Sequence, residues 1–184
     1  MFDSADYESP FGKMLLACRG GALTGVWFVG QKHFPEDAAN YLERSSPVLV
    51  KTKKWLDEYF LGRDPDPSLL PLAPEGGEFR RLVWSLIKKI PYGRVASYGD
   101  LAREAAETLG RTAMSARAVG QAVGRNPLSV VVPCHRVVGS DGGLTGYAGK
   151  LDVKRGLLEL EGVDPGLLEK IGPAALNARK KKAA

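Results

Sequence analysis

The stretch Val130-Val131-Val132-Pro133-Cys134-His135-Arg136-Val137-Val138 places a thiol beside an imidazole at the end of an apolar run. Pro133 withholds a backbone donor and restricts Val132 to extended geometry, so the run reads as a strand that ends by presenting Cys134 at its tip. A thiol becomes strongly nucleophilic as thiolate, and a neighbouring base or cation is the usual means of supplying thiolate near neutral pH. Cys134 is therefore a candidate nucleophile. Local chemistry alone leaves an alternative open, because a cysteine after valines is more often a small core residue and adjacent strand side chains face opposite ways.

The 184 residues suffice for one ordinary domain or two small ones sharing an interface, and an apolar fraction of 44% is that of a globular chain. A net charge of +5 suits a polyanionic partner without identifying one, and part of it sits in the tail Arg179-Lys180-Lys181-Lys182, which reads as a solvated end. Two cysteines, Cys18 and Cys134, no signal-like N-terminus and no apolar run near spanning length point to a cytoplasmic protein with no membrane partner and no disulfide framework. Cys18, His33 and the Cys134-His135 pair do not make a convincing four-ligand set, so no metal is expected and His33 reads as a surface loop residue.

Lys13 to Cys18 and Leu23 to Val29 are short apolar runs separated by Arg19-Gly20-Gly21, a hairpin signature. Leu56 with Trp55 and Tyr59 gives helical spacing over Lys51 to Phe60, and the following Gly-Pro-rich segment stops it before Ser68 to Leu72 returns as a strand. Phe79, Leu82, Val83, Leu86 and Ile90 repeat every three or four residues, predicting an amphipathic helix over Glu78 to Ile90. Ser97 with Asp100 three residues on is an approximate capping box for the next helix, and a third runs from about Ser115 to Gly124, giving a helix-turn-helix with a long connection. Gly139 to Gly143 is a turn, Leu144 to Lys150 a Gly-rich loop, and Asp152 is placed to cap a last helix through Glu161, stopped by Gly162. Asp164-Pro165 starts a final short turn of helix. The expected fold is α/β, with a small N-terminal α/β domain (1–75) carrying an antiparallel sheet, a mainly helical C-terminal domain (76–172) with the helix-turn-helix and Cys134, and a basic tail (173–184).

Three further stretches accompany the Pro-Cys-His-Arg-Val core: Ser115-Ala116-Arg117-Ala118-Val119-Gly120 continuing to Asn126-Pro127, then Gly146-Tyr147-Ala148-Gly149, then Leu158-Glu159-Leu160-Glu161-Gly162. In this order and spacing, from about residue 78 to 163, the chain resembles the methylated-DNA-protein-cysteine methyltransferases, or O6-alkylguanine-DNA alkyltransferases. The first seventy-odd residues match that family only in general character. The resemblance implies repair of double-stranded DNA carrying O6-alkylguanine, and O4-alkylthymine as well. The alkyl group is then expected to pass irreversibly to Cys134 with no cofactor, and the chain is expected to act as a monomer. It implies that His135 takes the thiol proton through a water molecule, that Glu161 orients and charge-stabilises the imidazole, and that Asn126 ties the recognition helix to the active-site loop.

The target carbon lies inside a base stack, so the nucleotide must be extruded. By resemblance Arg117 fills the vacated space and Tyr98 pushes the target phosphate and bonds the flipped guanine. Ser115, Ala116, Ala118, Gly120 and Ser140 are expected to complete the DNA contact. Ala116, Ala118 and Gly120 are small and read no bases, which suits close approach to the minor groove. By resemblance the carbonyls of Cys134 and Val137 and the amide of Ala148 are expected to recognise guanine, between walls of Tyr147 and Val123. Lys150 stands where many relatives have a second glycine, which bears on loop mobility. A noncatalytic reader of alkylated bases and a thiol hydrolase are the rival readings; an intact Cys134 speaks against the first, and the recognition-helix match against the second.

Overall fold

A computed structural model describes residues 1–143, 147–164 and 166 of the chain. The N-terminal sheet grows from the expected hairpin. β1 (Asp3–Ser9) pairs antiparallel with β2 (Gly12–Arg19), which pairs antiparallel with β3 (Ala22–Phe28), and β4 (Leu42–Glu43) adds parallel to β1. The β2–β3 turn is Gly20-Gly21, with φ of 60° and 78°, left-handed values that cost a residue bearing Cβ but not glycine. β1 escapes sequence detection because Asp-Ser-Ala-Asp-Tyr-Glu-Ser offers only Ala5 and Tyr7 as apolar residues, and full pairing with β2 is what makes it a strand.

β3 is the sheet edge, yet six of its seven residues are buried. Its free backbone groups are taken up by two segments from later in the chain. Leu23 N donates to Pro71 O at 2.7 Å and Ala73 N to Leu23 O at 2.8 Å, while Val26 N donates to Pro127 O at 2.8 Å and Ser129 N to Val26 O at 2.9 Å. An exposed edge is thus covered, and the segment leading to Cys134 is registered on the N-terminal sheet.

α1 (Pro47–Phe60) starts earlier than the expected Lys51, because Ser46 caps it by accepting from Leu49 N and Pro47 fits the first turn. Leu49, Thr52, Leu56 and Tyr59 lie on its buried face. The strand expected over Ser68 to Leu72 is corrected: Pro67–Leu69 is a 3-10 turn capped by Asp66, whose carboxylate accepts from Ser68 N at 2.8 Å, and only Leu72 bridges to Leu23. The side chain of Asp66 offers the backbone a closer partner than the sheet does.

In the C-terminal half α2 (Glu78–Ile87), α3 (Tyr98–Thr108) and α4 (Ala116–Gly124) pack on one another. Ser97 and Asp100 form the expected capping box, and Trp84 Nε1 donates to Ala122 O at 2.9 Å across the helices. β5 (Ala96–Ser97) pairs parallel with β6 (Val137–Val138), so the start of α3 lies beside the end of the Pro-Cys-His-Arg motif. α5 (Leu151–Leu160) ends at Gly162 as expected, but its N-cap is Lys150 rather than Asp152, which sits in the first turn. One buried cluster joins Leu16, Leu23 and Val26 of the sheet to Val83, Leu128 and Leu157 of the later half. The basic tail, all of the expected turn from Pro165 onward except Gly166, and residues 144–146 of the Gly-rich loop lie outside the described residues.

Candidate active site

The valine run is not a strand. Leu128 bridges to Val26, after which Val131 N bonds back to Ser129 O at 2.9 Å with Val130 at φ 72°, a rare backbone state for a β-branched residue. Pro133 (φ −79°, ψ 63°) then carries a second tight turn, Cys134 N to Val132 O at 2.7 Å, and Cys134–Arg136 is one turn of 3-10 helix. The valines are buried and cannot pair as a strand because the sheet edge stops at Ser129, so the chain folds back. In consequence Cys134, His135 and Arg136 all point inward, which strand alternation would have forbidden.

Asn126 holds this turn together. Its Nδ2 donates to Val132 O at 2.8 Å and to Cys134 Sγ at 3.1 Å, and its Oδ1 accepts from Leu128 N at 3.0 Å. The side chain thereby links the end of α4 to the thiol. Burial pushes the Cys134 thiol above its ordinary range, and the Asn126 bond and the nearby Lys154 ammonium pull it part of the way back.

His135 is fully buried, and its Nε2 lies 2.6 Å from Glu161 Oε1. Glu161, at the C-cap of α5, is clamped further by Arg136, whose Nε donates to Oε2 at 2.8 Å and whose Nη2 donates to Oε1 at 3.1 Å. Gly93 N donates to Oε2 at 3.2 Å, and a side chain at Gly93 would strike the Glu161 carbonyl at 2.8 Å. Burial acts to raise the Glu161 carboxyl, but the bonds and charges of His135 and Arg136 outweigh it and hold the group at about 2. An anionic Glu161 requires a proton on His135 Nε2, which leaves Nδ1 as the ring's acceptor. Among the described residues Nδ1 has no hydrogen-bond partner. Burial lowers the proton affinity of His135, partly offset by Glu161, so the imidazole is neutral near pH 7.

Cys134, His135, Glu161 and Asn126 are therefore brought together. Tyr147 stands close enough to Cys134 for their charges to couple, and its hydroxyl is shielded from solvent; Val123 is buried on the inner face of α4. The Val137 carbonyl accepts from Lys154 Nζ at 2.5 Å, and the Ala148 carbonyl accepts from Lys32 N at 2.8 Å. Ser115, Ala116 and Arg117 lie exposed at the start of α4, with the Ser115 hydroxyl capping the helix. Ala118 and Gly120 are half-buried, a Cβ placed on Gly120 would lie 3.7 Å from the Tyr98 ring, and Ser140 is exposed in the turn after β6. Lys150 is exposed with φ −75°, a conformation open to any residue, so the missing glycine distorts nothing here.

Tyr59, Arg136 and Lys154 are site residues to which the sequence reading assigned no part. Lys154 left a signal: it shares one face of α5 with Leu157, Leu158 and Glu161, three, four and seven residues on, where an unpaired cation is costly. Burial lowers its ammonium to about 8 despite the counter-effect of Cys134. Tyr59 left none, since an aromatic at helical spacing reads as packing.

The family described as the 6-O-methylguanine DNA methyltransferase DNA binding domain matches residues 78–163, and the ribonuclease-like domain of the same enzymes matches residues 5–74. A methylated-DNA–protein-cysteine methyltransferase of Methanosarcina acetivorans is 42% identical over 86% of this chain and 97% of its own. One of Haemophilus influenzae is 37% identical over 84% and 83%. The crystal structure of Mycobacterium tuberculosis OGT in complex with DNA superposes with a TM-score of 0.74 at 36% identity, covering 87% of this chain and 93% of that one. With both halves matched in order and a relative of this likeness covering most of its length, the chain belongs to the methylated-DNA–protein-cysteine methyltransferase family.

Proposed function

We propose that this protein repairs DNA by moving an alkyl group from O6 of guanine, and from O4 of thymine, onto its own Cys134. The thiol proton leaves through a water molecule to His135 Nδ1, and sulfur attacks the alkyl carbon as the carbon–oxygen bond breaks. The bond's electron pair stays on guanine, which recovers one proton, so the products are guanine and S-alkyl Cys134. A thioether has no good leaving group, and each molecule acts once. The carrying observation is the buried chain of contacts from Asn126 and Cys134 to His135 and Glu161, with one ring nitrogen fixed on the carboxylate and the other available as a base.

The nucleotide is flipped out of the duplex, with Arg117 occupying its place and Tyr98 beside the flipped base. Ser115, Ala116, Ala118, Gly120 and Ser140 face DNA, and Val137, Tyr147, Ala148 and Val123 surround the guanine. The exposed Arg117 at the start of a helix of small residues supports this reading. Division of labour between an N-terminal domain of residues 1–75 and a transfer domain of residues 76–172 is part of the same proposal. So is action as a monomer, since every residue of the relay comes from one chain. Free thiols at Cys18 and Cys134 favour the cytoplasm, and no described helix is long and apolar enough to cross a membrane.

Mass spectrometry after incubation with O6-methylguanine duplex tests the reading. A permanent gain of one methyl on the Cys134 peptide is expected. An unmodified peptide despite binding would make the protein a reader of lesions, and turnover of esters or peptides would make it a hydrolase.

A further inference from the structure

Glu161 Oε1 accepts not only from His135 and Arg136 but from a third donor in the other half of the chain: the Tyr59 hydroxyl, at 2.7 Å. The same hydroxyl lies 3.2 Å from His135 Nε2. Tyr59 is 1% exposed and sits one residue from the end of α1. Its ring is fixed by Trp55 stacked at 5.8 Å and by the edges of Phe60 and Tyr92 at 5.3 and 6.2 Å. A phenol so enclosed has one place to direct its proton.

We propose that Tyr59 is a positioning residue of the alkyl-transfer relay, through which α1 of the N-terminal half holds Glu161 and sets the basicity of His135. The proposal rests on the reading of Cys134 as alkyl acceptor and His135 as its base. A carboxylate oxygen shared among three donors lends less negative charge to each. Donation from Tyr59 therefore keeps His135 from binding its proton so tightly that it no longer acts as a free base near neutral pH. Burial and the Glu161 charge hold the phenol far above its ordinary range, so it remains a donor throughout. Among the described residues the other groups facing the pair are Arg136 on Glu161, Tyr92 beneath the Arg136 guanidinium, Lys154 on α5, and Cys134 with Tyr147. None of them replaces a donor lost from Oε1, since Tyr92 directs its hydroxyl to Leu160 O.

Tyr59→Phe keeps the ring and removes the donor. In the full chain, self-alkylation by free O6-benzylguanine, which needs no flipping, is expected to slow about two- to threefold at pH 7 and up to about tenfold on the acid limb. The acid limb of its pH–rate profile is expected to move up by about 0.5 to 1 pH unit, with duplex affinity unchanged. In a Glu161→Gln background the same substitution is expected to add little, because the two act through one oxygen. An unchanged rate and profile would overturn the proposal, as would a rate loss with an unmoved acid limb that adds fully to Glu161→Gln. His135 is one of two histidines, so 15N imidazole spectra read the step without any substrate. Its protonation is expected to rise in pH in Tyr59→Phe and to fall when a more acidic fluorotyrosine stands at position 59, and an unmoved titration in either variant overturns the idea. The fluorotyrosine protein retains the shape of the native side chain should Tyr59→Phe not fold. Failure of wild type to gain mass at Cys134, with the His135 shifts present, would strike the transfer reading and leave the coupling to Glu161 standing.

Discussion

Cys134 is buried to 4% exposure with Asn126 on its sulfur, so a serine fits the space but not the chemistry. A hydroxyl is far less ionised and less nucleophilic near neutral pH. Cys134→Ser is expected to abolish transfer while duplex binding persists, and methyl removal at near-normal rate would refute the assigned nucleophile. Glu161 makes a prediction about acid. A carboxyl held at about 2 against an ordinary 4.5 stabilises the fold by on the order of 3 kcal/mol. Its folded value is depressed, so this contribution is present above pH 4.5 and is lost as pH falls towards 2. His135, neutral and buried, acts in the same direction below its ordinary 6.5, because the unfolded chain takes up that proton first. Glu161→Gln leaves the Arg136 charge without its partner and is expected to cost about 3 to 5 kcal/mol at pH 7. It should also flatten the fall in stability between pH 4.5 and 2. Urea unfolding at a series of pH values measures both, and parallel curves for the two proteins would refute the assignment.

At the scale of elements, α4 has two faces with different work. Val119, Ala122 and Val123 bury against α2 and α3, while Ser115, Ala116 and Arg117 stay in solvent at its start. If Arg117 substitutes for the extruded nucleotide, Arg117→Ala is expected to slow repair of a duplex at least tenfold more than reaction with free O6-benzylguanine. Rates on the two substrates make the comparison, and equal losses would place the effect in folding or thiol activation. β5 and β6 place Tyr98, the other residue proposed for that step. Their pairing of Ala96 with Val137 and Ser97 with Val138 sets the first turn of α3, and Tyr98 with it, next to the active-site turn.

Taken as a whole, the molecule closes one core around Cys134. β3 carries the Pro127–Ser129 segment, α1 reaches Glu161 through Tyr59, and Lys32 holds the Ala148 carbonyl. An alkyl group added to Cys134 has to find room among Asn126, Val132 and Tyr147. Overpacking of such a core costs about 1 to 3 kcal/mol. The alkylated protein is therefore expected to melt below the free one, and a benzyl adduct below a methyl adduct. Thermal melts before and after quantitative alkylation provide the check, and an unchanged or raised midpoint would show that the site accommodates its product without strain.

Sequence by itself determined what is local or periodic: the Gly20-Gly21 hairpin, the helices with apolar residues at three and four, the Ser97–Asp100 capping box and the Gly162 stop. It also determined the candidate site, because Pro-Cys-His-Arg, Asn126 and Glu161 stand at spacings that a resemblance can read. Only the tertiary structure decided the course of the valine run. Extended propensity favours a strand, but the edge of β3 offers partners no further than Ser129, and the backbone satisfies itself in two tight turns that face Cys134, His135 and Arg136 inward. It decided β1 through pairing rather than composition. It also decided the partners of Glu161, since Tyr59 is 102 residues away and its hydroxyl meets the carboxylate only where α1, the active-site turn and the end of α5 share one buried volume.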